Sequence, residues 1–91
     1  MMIRFTKHAE EKFALLRRHG VSLSRKQVIG AVMKPEQTDY SRLPLFIAQS
    51  SIDAHHVLRV VYKQDRNTRT IITFYPGRKY QYAAIKHKKN T

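Results

Sequence analysis

Ninety-one residues with no cysteine, and with no apolar run near the roughly 20 residues of a membrane span, exclude disulfide scaffolds, thiolate metal sites and helical membrane spans. Eighteen Lys plus Arg against six Asp plus Glu give a formal net charge of +12, which draws in anionic partners and says little about fold. An apolar fraction of 42% and a start without a secretory stretch point to one soluble, cytoplasmic domain over 1–82, followed by a basic tail at 83–91.

Ile3 to Phe5 reads as a short first strand. Thr6 then offers an N-cap hydroxyl, Glu10 and Glu11 suit the positive end of a helix, and Ala9, Phe13 and Leu16 recur at helical spacing. Arg17, Arg18 and His19 fit a last turn and Gly20 a stop, so a helix is expected over about Lys7 to His19. Ser24 with Gln27 forms a capping box for a second helix, whose buried side is Val28, Ile29, Val32 and Met33 and which Pro35 ends. Val21, between the helices, is placed to staple the second. The two helices are expected to form a hairpin.

Beyond Pro35 the period changes. Leu45 to Ile52, Val57 to Tyr62 and Arg69 to Tyr75 are β-branched or aromatic runs, with turn chemistry at Asp65 to Asn67 and a sharp end at Pro76-Gly77. These runs predict an antiparallel meander. Val57 and Val61 on one face oppose Leu58, Val60 and Tyr62 on the other, so both faces need cover. The expected fold class is α+β: a short strand, then a helical hairpin packed on a three- to four-stranded antiparallel sheet.

The chemistry is narrowed by what is missing. The three glycines are scattered, so there is no phosphate loop. His55 and His56 are adjacent, and His8 with Glu11 lacks a second histidine, so no metal site is expected. No cofactor is implied. RNA cleavage needs neither metal nor carboxylate: one group accepts the ribose 2′-OH proton, another protonates the leaving 5′-oxygen, and cations hold the charge on phosphorus.

His8 lies in the first helical turn, where the positive helix end and Lys12 at i+4 favour a neutral, proton-accepting ring; the other reading is local packing. Arg59 stands inside an apolar strand, where it meets a ligand phosphate, snorkels outward or pairs with an acid such as Asp53. After Asp65 the chain has no further acid. Arg69, Arg78, Lys79 and Lys86 there interleave with Tyr75, Tyr80 and Tyr82, cations for phosphates and rings for unpaired bases. Tyr75 is equally suited to the core, and Arg78 to Tyr82 equally suited to a charged, solvated sheet edge.

Thr6-Lys7-His8-Ala9, Lys12-Phe13, Arg18-His19-Gly20-Val21-Ser22, Lys34-Pro35, Leu58-Arg59-Val60-Val61-Tyr62 and Thr73-Phe74-Tyr75-Pro76 follow one another in an ordered set over about residues 4 to 82. This set resembles a family of small bacterial and phage domains similar to BrnT and, more distantly, to the RelE/ParE superfamily of toxins. The resemblance implies two N-terminal helices on an antiparallel sheet and a metal-independent endoribonuclease that stops translation, acting on RNA free or ribosome-bound. It also implies a small acidic antitoxin. Carried over by position, His8, Lys12, Arg59 and Thr73 match the polar motif positions, with Tyr75 and Arg78 completing the catalytic candidates. Lys12 stands where Arg is usual, keeping the charge without the bidentate fork. Two further functions fit the same charge: a non-catalytic nucleic-acid- or ribosome-binding module, and a ParE-like toxin that binds a protein target.

Overall fold

Short-range signals set the helices and the hairpins of β2 to β5, and a pairing of residues far apart in the chain adds the edge strand β1. A computed structural model describes residues 1–82. The tail assigned to 83–91, Lys86 included, lies outside the described residues. In chain order the elements are β1 (Met2–Phe5), α1 (Lys7–Arg18), α2 (Arg25–Met33), β2 (Gln37–Asp39), β3 (Leu45–Ser51), β4 (His56–Asp65) and β5 (Thr68–Arg78). Residues 79–82 turn into helix. The fold is α+β.

Thr6 caps α1 by accepting from the Ala9 backbone N–H at 3.1 Å, and its own hydroxyl donates to the Ile72 carbonyl at 3.2 Å. One side chain thus starts the helix and fastens it to β5. At the other end Val21 N–H reaches the Leu16 carbonyl and Gly20 N–H that of Arg17, a Schellman stop with Gly20 at φ 85°. The Ser24–Gln27 capping box forms in both directions. Leu23 and Val28, rather than Val21, hold the staple positions of α2, and both are buried in the core.

The sheet is five-stranded in the order β1-β5-β4-β3-β2 and is mixed, because β1 runs parallel to β5 with Met2 opposite Thr68 and Phe5 opposite Ile71. β2 to β5 form a four-stranded antiparallel meander, and the departure from the expected sheet is the parallel edge strand β1. β1 and β2 are four and three residues long, too short to show a period, and each finds its partner by tertiary pairing. The expected helical hairpin is also different: α1 lies on β5 and β1, α2 on β4 and β3. Their clearest direct link is an Arg25–Glu10 ion pair.

Two further departures concern β5. It continues through Pro76-Gly77 to Arg78 rather than stopping there. β1 ends opposite Ile71, so on that edge no neighbour requires the N–H that proline lacks. Val61 pairs with Thr73 and Tyr62 with Ile71, which leaves Ile72 as a bulge.

Directly opposed residues share a face. Ala48, Val60 and Phe74 line up under the helices and are all fully buried, with Tyr62, Ile71 and Leu58 around them and Ala9, Val28, Ala31 and Val32 above. Phe13 bridges Phe5 and Phe74 at ring distances of 5.9 and 4.7 Å. The opposite face carries Gln49, Arg59 and Tyr75 in one row and Asp39, Ile47, Val61 and Thr73 in the next. Among the described residues no helix is long and apolar enough to cross a membrane.

Phe74 fills the centre of this core, so Phe74→Ala is expected to lower unfolding free energy by about 3–5 kcal/mol. Leu15→Ala, on the outer side of α1, is expected to lower it by less than about 1 kcal/mol. Urea denaturation of both variants beside the parent checks the difference.

Candidate nucleic-acid interface

The sequence-predicted residues separate into three groups. The first is buried. Arg59 is 3% exposed on the face away from the helices. Its Nε donates to the Tyr75 hydroxyl at 3.2 Å, one terminal nitrogen to Gln49 Oε1 at 2.6 Å and the other to Asp39 Oδ2 at 2.8 Å. The Tyr82 ring lies over the guanidinium at 4.1 Å. Gly77 makes room for that ring, since a Cβ there would run into it.

Burial disfavours the Arg59 charge, but the bonds to Asp39 and Tyr75 outweigh it and hold the guanidinium above its ordinary pKa. Burial likewise pushes the Asp39 carboxyl up. The Arg59 bond, the Ser41 backbone N–H and side chain, and the Arg59 charge overcome it and bring the carboxyl from 3.8 to about 2. The acid that neutralises Arg59 is therefore Asp39; Asp53, the acid first considered, is held by the β3–β4 turn. With all three guanidinium nitrogens engaged and a ring over its face, Arg59 holds β2, β3, β4 and β5 together and is not presented to a ligand phosphate. Tyr75 belongs to the same network.

The second group is at the start of α1. Thr73 Oγ1 stands 3.4 Å from His8 Nε2 and 3.5 Å from Lys12 Nζ, at the long end of hydrogen-bond reach. The bulge at Ile72 and the early end of β1 bring this hydroxyl to the helix. His8 is exposed, and with Lys12 and Arg18 it lines a shallow groove of about 370 Å³ along α1. Thr73 also borders a groove of about 380 Å³ on the open sheet face, with Arg42, Ile47, Val61, Ile72 and Tyr75.

The third group is at the far end of β5. Arg78 is exposed and pairs across the sheet with His56. Lys79 Nζ donates to the Asp53 carbonyl at 3.3 Å, and Tyr80 is 69% exposed. At about 3.3 Å per residue, the five positions from Thr73 to Arg78 span about 16 Å. His8 and Arg78 therefore do not share one site. Arg69 is tied down elsewhere: it donates to the Val32 carbonyl at 2.7 Å and to Gln64 Oε1 at 2.9 Å, and lies 5.2 Å from the Tyr62 ring. It fastens β5 under the end of α2.

Sequence reasoning did not find Asp39 and Gln49, the partners of Arg59, nor the Asp53–His56 pair. The signal for the latter was present. Asp53 followed two and three residues later by His55 and His56 is an Asx-turn pattern, and both backbone N–H groups donate to Asp53 Oδ1.

Among the described lysines and arginines, only Arg25 and Arg59 are in ion pairs. The other described lysines and arginines have no ion-pair partner among the described residues and are spread over both helices, the loops and the strands. No known protein family, curated protein or solved structure matches the chain.

Two outcomes follow from the buried pair. Arg59→Ala leaves a buried carboxylate without its cation and is expected to cost about 3–5 kcal/mol in chemical denaturation. The folded Asp39 carboxyl titrates at about 2 against 3.8 ordinarily, so between these values the unfolded chain binds more protons. Its stabilisation, on the order of 2 kcal/mol, is whole above about pH 4 and fades as pH falls toward 2. Denaturant midpoints measured from pH 5 to pH 2.5 should fall less steeply in Asp39→Asn than in the parent.

Proposed function

We propose that this protein is an RNA-cutting toxin of the BrnT- and RelE-like kind, with its chemistry at the His8–Lys12–Thr73 cluster. The observation that carries the reading is the meeting of an exposed imidazole, an ammonium and a hydroxyl at Thr73, on a fold whose other cations are largely unmatched. In this scheme His8 Nε2 accepts the ribose 2′-OH proton, and the freed oxygen attacks the adjacent phosphorus. The bond to the 5′-oxygen breaks, and that oxygen takes a proton from the Lys12 ammonium. The products are a 2′,3′-cyclic phosphate and a 5′-hydroxyl, and no metal takes part. Thr73 positions both groups. The unmatched cations hold the RNA backbone, and a small acidic antitoxin that covers them silences the protein. The ordered resemblance of residues 4 to 82 to such toxins supports the same assignment.

A second reading has its own support. Arg59 and Tyr75 are closed within the fold, and Arg78 is far from His8, which leaves few groups around the phosphate. On that basis the protein binds RNA or the ribosome without cutting.

Incubation of purified chain with single-stranded RNA in the presence of EDTA separates the two. Under the toxin reading, cleavage leaves cyclic phosphate ends, and His8→Ala slows it by about a hundredfold or more while gel-shift affinity stays the same. Intact RNA, bound with a steep salt dependence that declines stepwise as Lys and Arg are removed, supports the second reading.

A further inference from the structure

The turn between β3 and β4 holds a histidine more firmly than its exposure requires. Asp53 Oδ1 accepts from the backbone N–H groups of His55 and His56 at 2.8 and 2.9 Å, and from His56 Nδ1 at 3.0 Å. These bonds, the His55 N–H foremost and the His56 ring next, hold the carboxyl below its ordinary pKa. A ring whose Nδ1 donates to Asp53 has only Nε2 left for a ligand. That ring lines a cavity of about 380 Å³ whose other walls include Val21, Ser22, Leu23, Ile52 and Pro76. The walls are mostly apolar, and the polar groups are few: an imidazole nitrogen of fixed tautomer, the Ser22 hydroxyl, and the Asp53 carboxylate, whose Oδ1 is engaged by the turn. This is the composition of a small-ligand pocket.

The charge at the rim has one sign in excess. His56 and Arg78 are directly opposed across β4 and β5, on the face that carries Pro76 and Leu58. Lys79 is drawn against the same turn through its bond to the Asp53 carbonyl, and its backbone N–H donates to the His55 carbonyl at 2.8 Å. An apolar slot with one directed acceptor, flanked by a guanidinium and an ammonium, matches a flat heterocycle joined to a phosphate. The base buries its faces between Val21, Ile52 and Pro76, a base N–H donates to His56 Nε2, and the phosphate lies on Arg78 and Lys79.

We propose that the cavity between the α1–α2 connection and the β3–β4 turn is a nucleotide site, taking one unpaired base of an RNA strand with its phosphate at Arg78 and Lys79. The proposal rests on the RNA reading above and gives it a second contact, at the end of β5, away from the mid-strand Thr73 that faces His8. Asp53 is a positioning residue there; His56, Arg78 and Lys79 are the ligand contacts.

The test is titration of the isotope-labelled full chain with adenosine 5′-monophosphate, and separately with inorganic phosphate, while the histidine imidazole resonances are followed by NMR. The expected result is saturable movement of the His56 signals by the nucleotide, much smaller movement by phosphate alone, and little change at His8. His56→Gln, on a half-exposed side chain, and Arg78→Glu should each weaken nucleotide binding by about tenfold, with His8 spectra that report an intact fold. Equal responses to nucleotide and phosphate, uniform movement of all the histidines, or unchanged nucleotide affinity in His56→Gln would overturn the proposal. If RNA still binds the parent in those cases, the pocket alone is refuted; if RNA fails to bind as well, the RNA reading falls with it.

Discussion

A guanidinium in the middle of a β-sheet, 3% exposed, is tolerated only when its charge is matched and its donors are used. Arg59 meets both conditions by gathering residues from four places. Asp39 comes from β2, Gln49 from β3, Tyr75 from β5 and Tyr82 from the segment beyond it. β2 is only three residues long, and the carboxylate it sends to Arg59 gives that edge strand a reason to stay. The face away from the helices is thereby organised by one ion pair, whereas the other face is organised by ordinary apolar packing around Phe74. The arrangement specifies register as well as position. A shift of β4 by one residue would place Arg59 among Val28, Val32 and Phe74.

This use of Arg59 changes what the basic character of the chain means. Charge on the sheet interior is consumed in holding strands together, and Arg69 is consumed under α2 in the same way. The cations available to a polyanion are those at the periphery, among them Lys12 beside His8, Arg17 and Arg18 at the end of α1, Arg42 on the open face, and Arg78 and Lys79 at the end of β5. Their scatter suits a strand of RNA laid across the surface better than one compact anion. Along β5, Thr73 stands at mid-strand and Arg78 at the end, with the Arg59–Tyr75 contact between them.

What could be read from the chain follows from the range of each interaction. Thr6, Gly20 and the Ser24–Gln27 box act within four residues of themselves, so both helices and their limits were legible. The runs of β3, β4 and β5 are long enough to show their character, and their alternation correctly placed Leu58, Val60 and Tyr62 on one face. β1 and β2 carry no such pattern, and their partners were not readable. The same holds for Arg59. An acid partner was among the expectations, but the choice between Asp53 and Asp39 depended on a strand that the sequence does not announce. The grouping of His8, Lys12 and Thr73 lay beyond local patterns too, because 61 residues separate Lys12 from Thr73. Only the ordered resemblance hinted at it.

The bond from Thr6 to Ile72 joins residues 66 apart, and β1 closes on the first four residues of β5. α1 lies on those two strands, so its floor exists only when nearly the whole described chain has been made. A ribosome extruding this protein releases both helices well before the strand that α1 needs, and the amphipathic helix waits with Phe13 and Leu16 uncovered. No N-terminal fragment that stops short of β5 is therefore a folded piece of this protein. Folding waits for β5, and until then the apolar side of α1 is open to whatever else is in the cell.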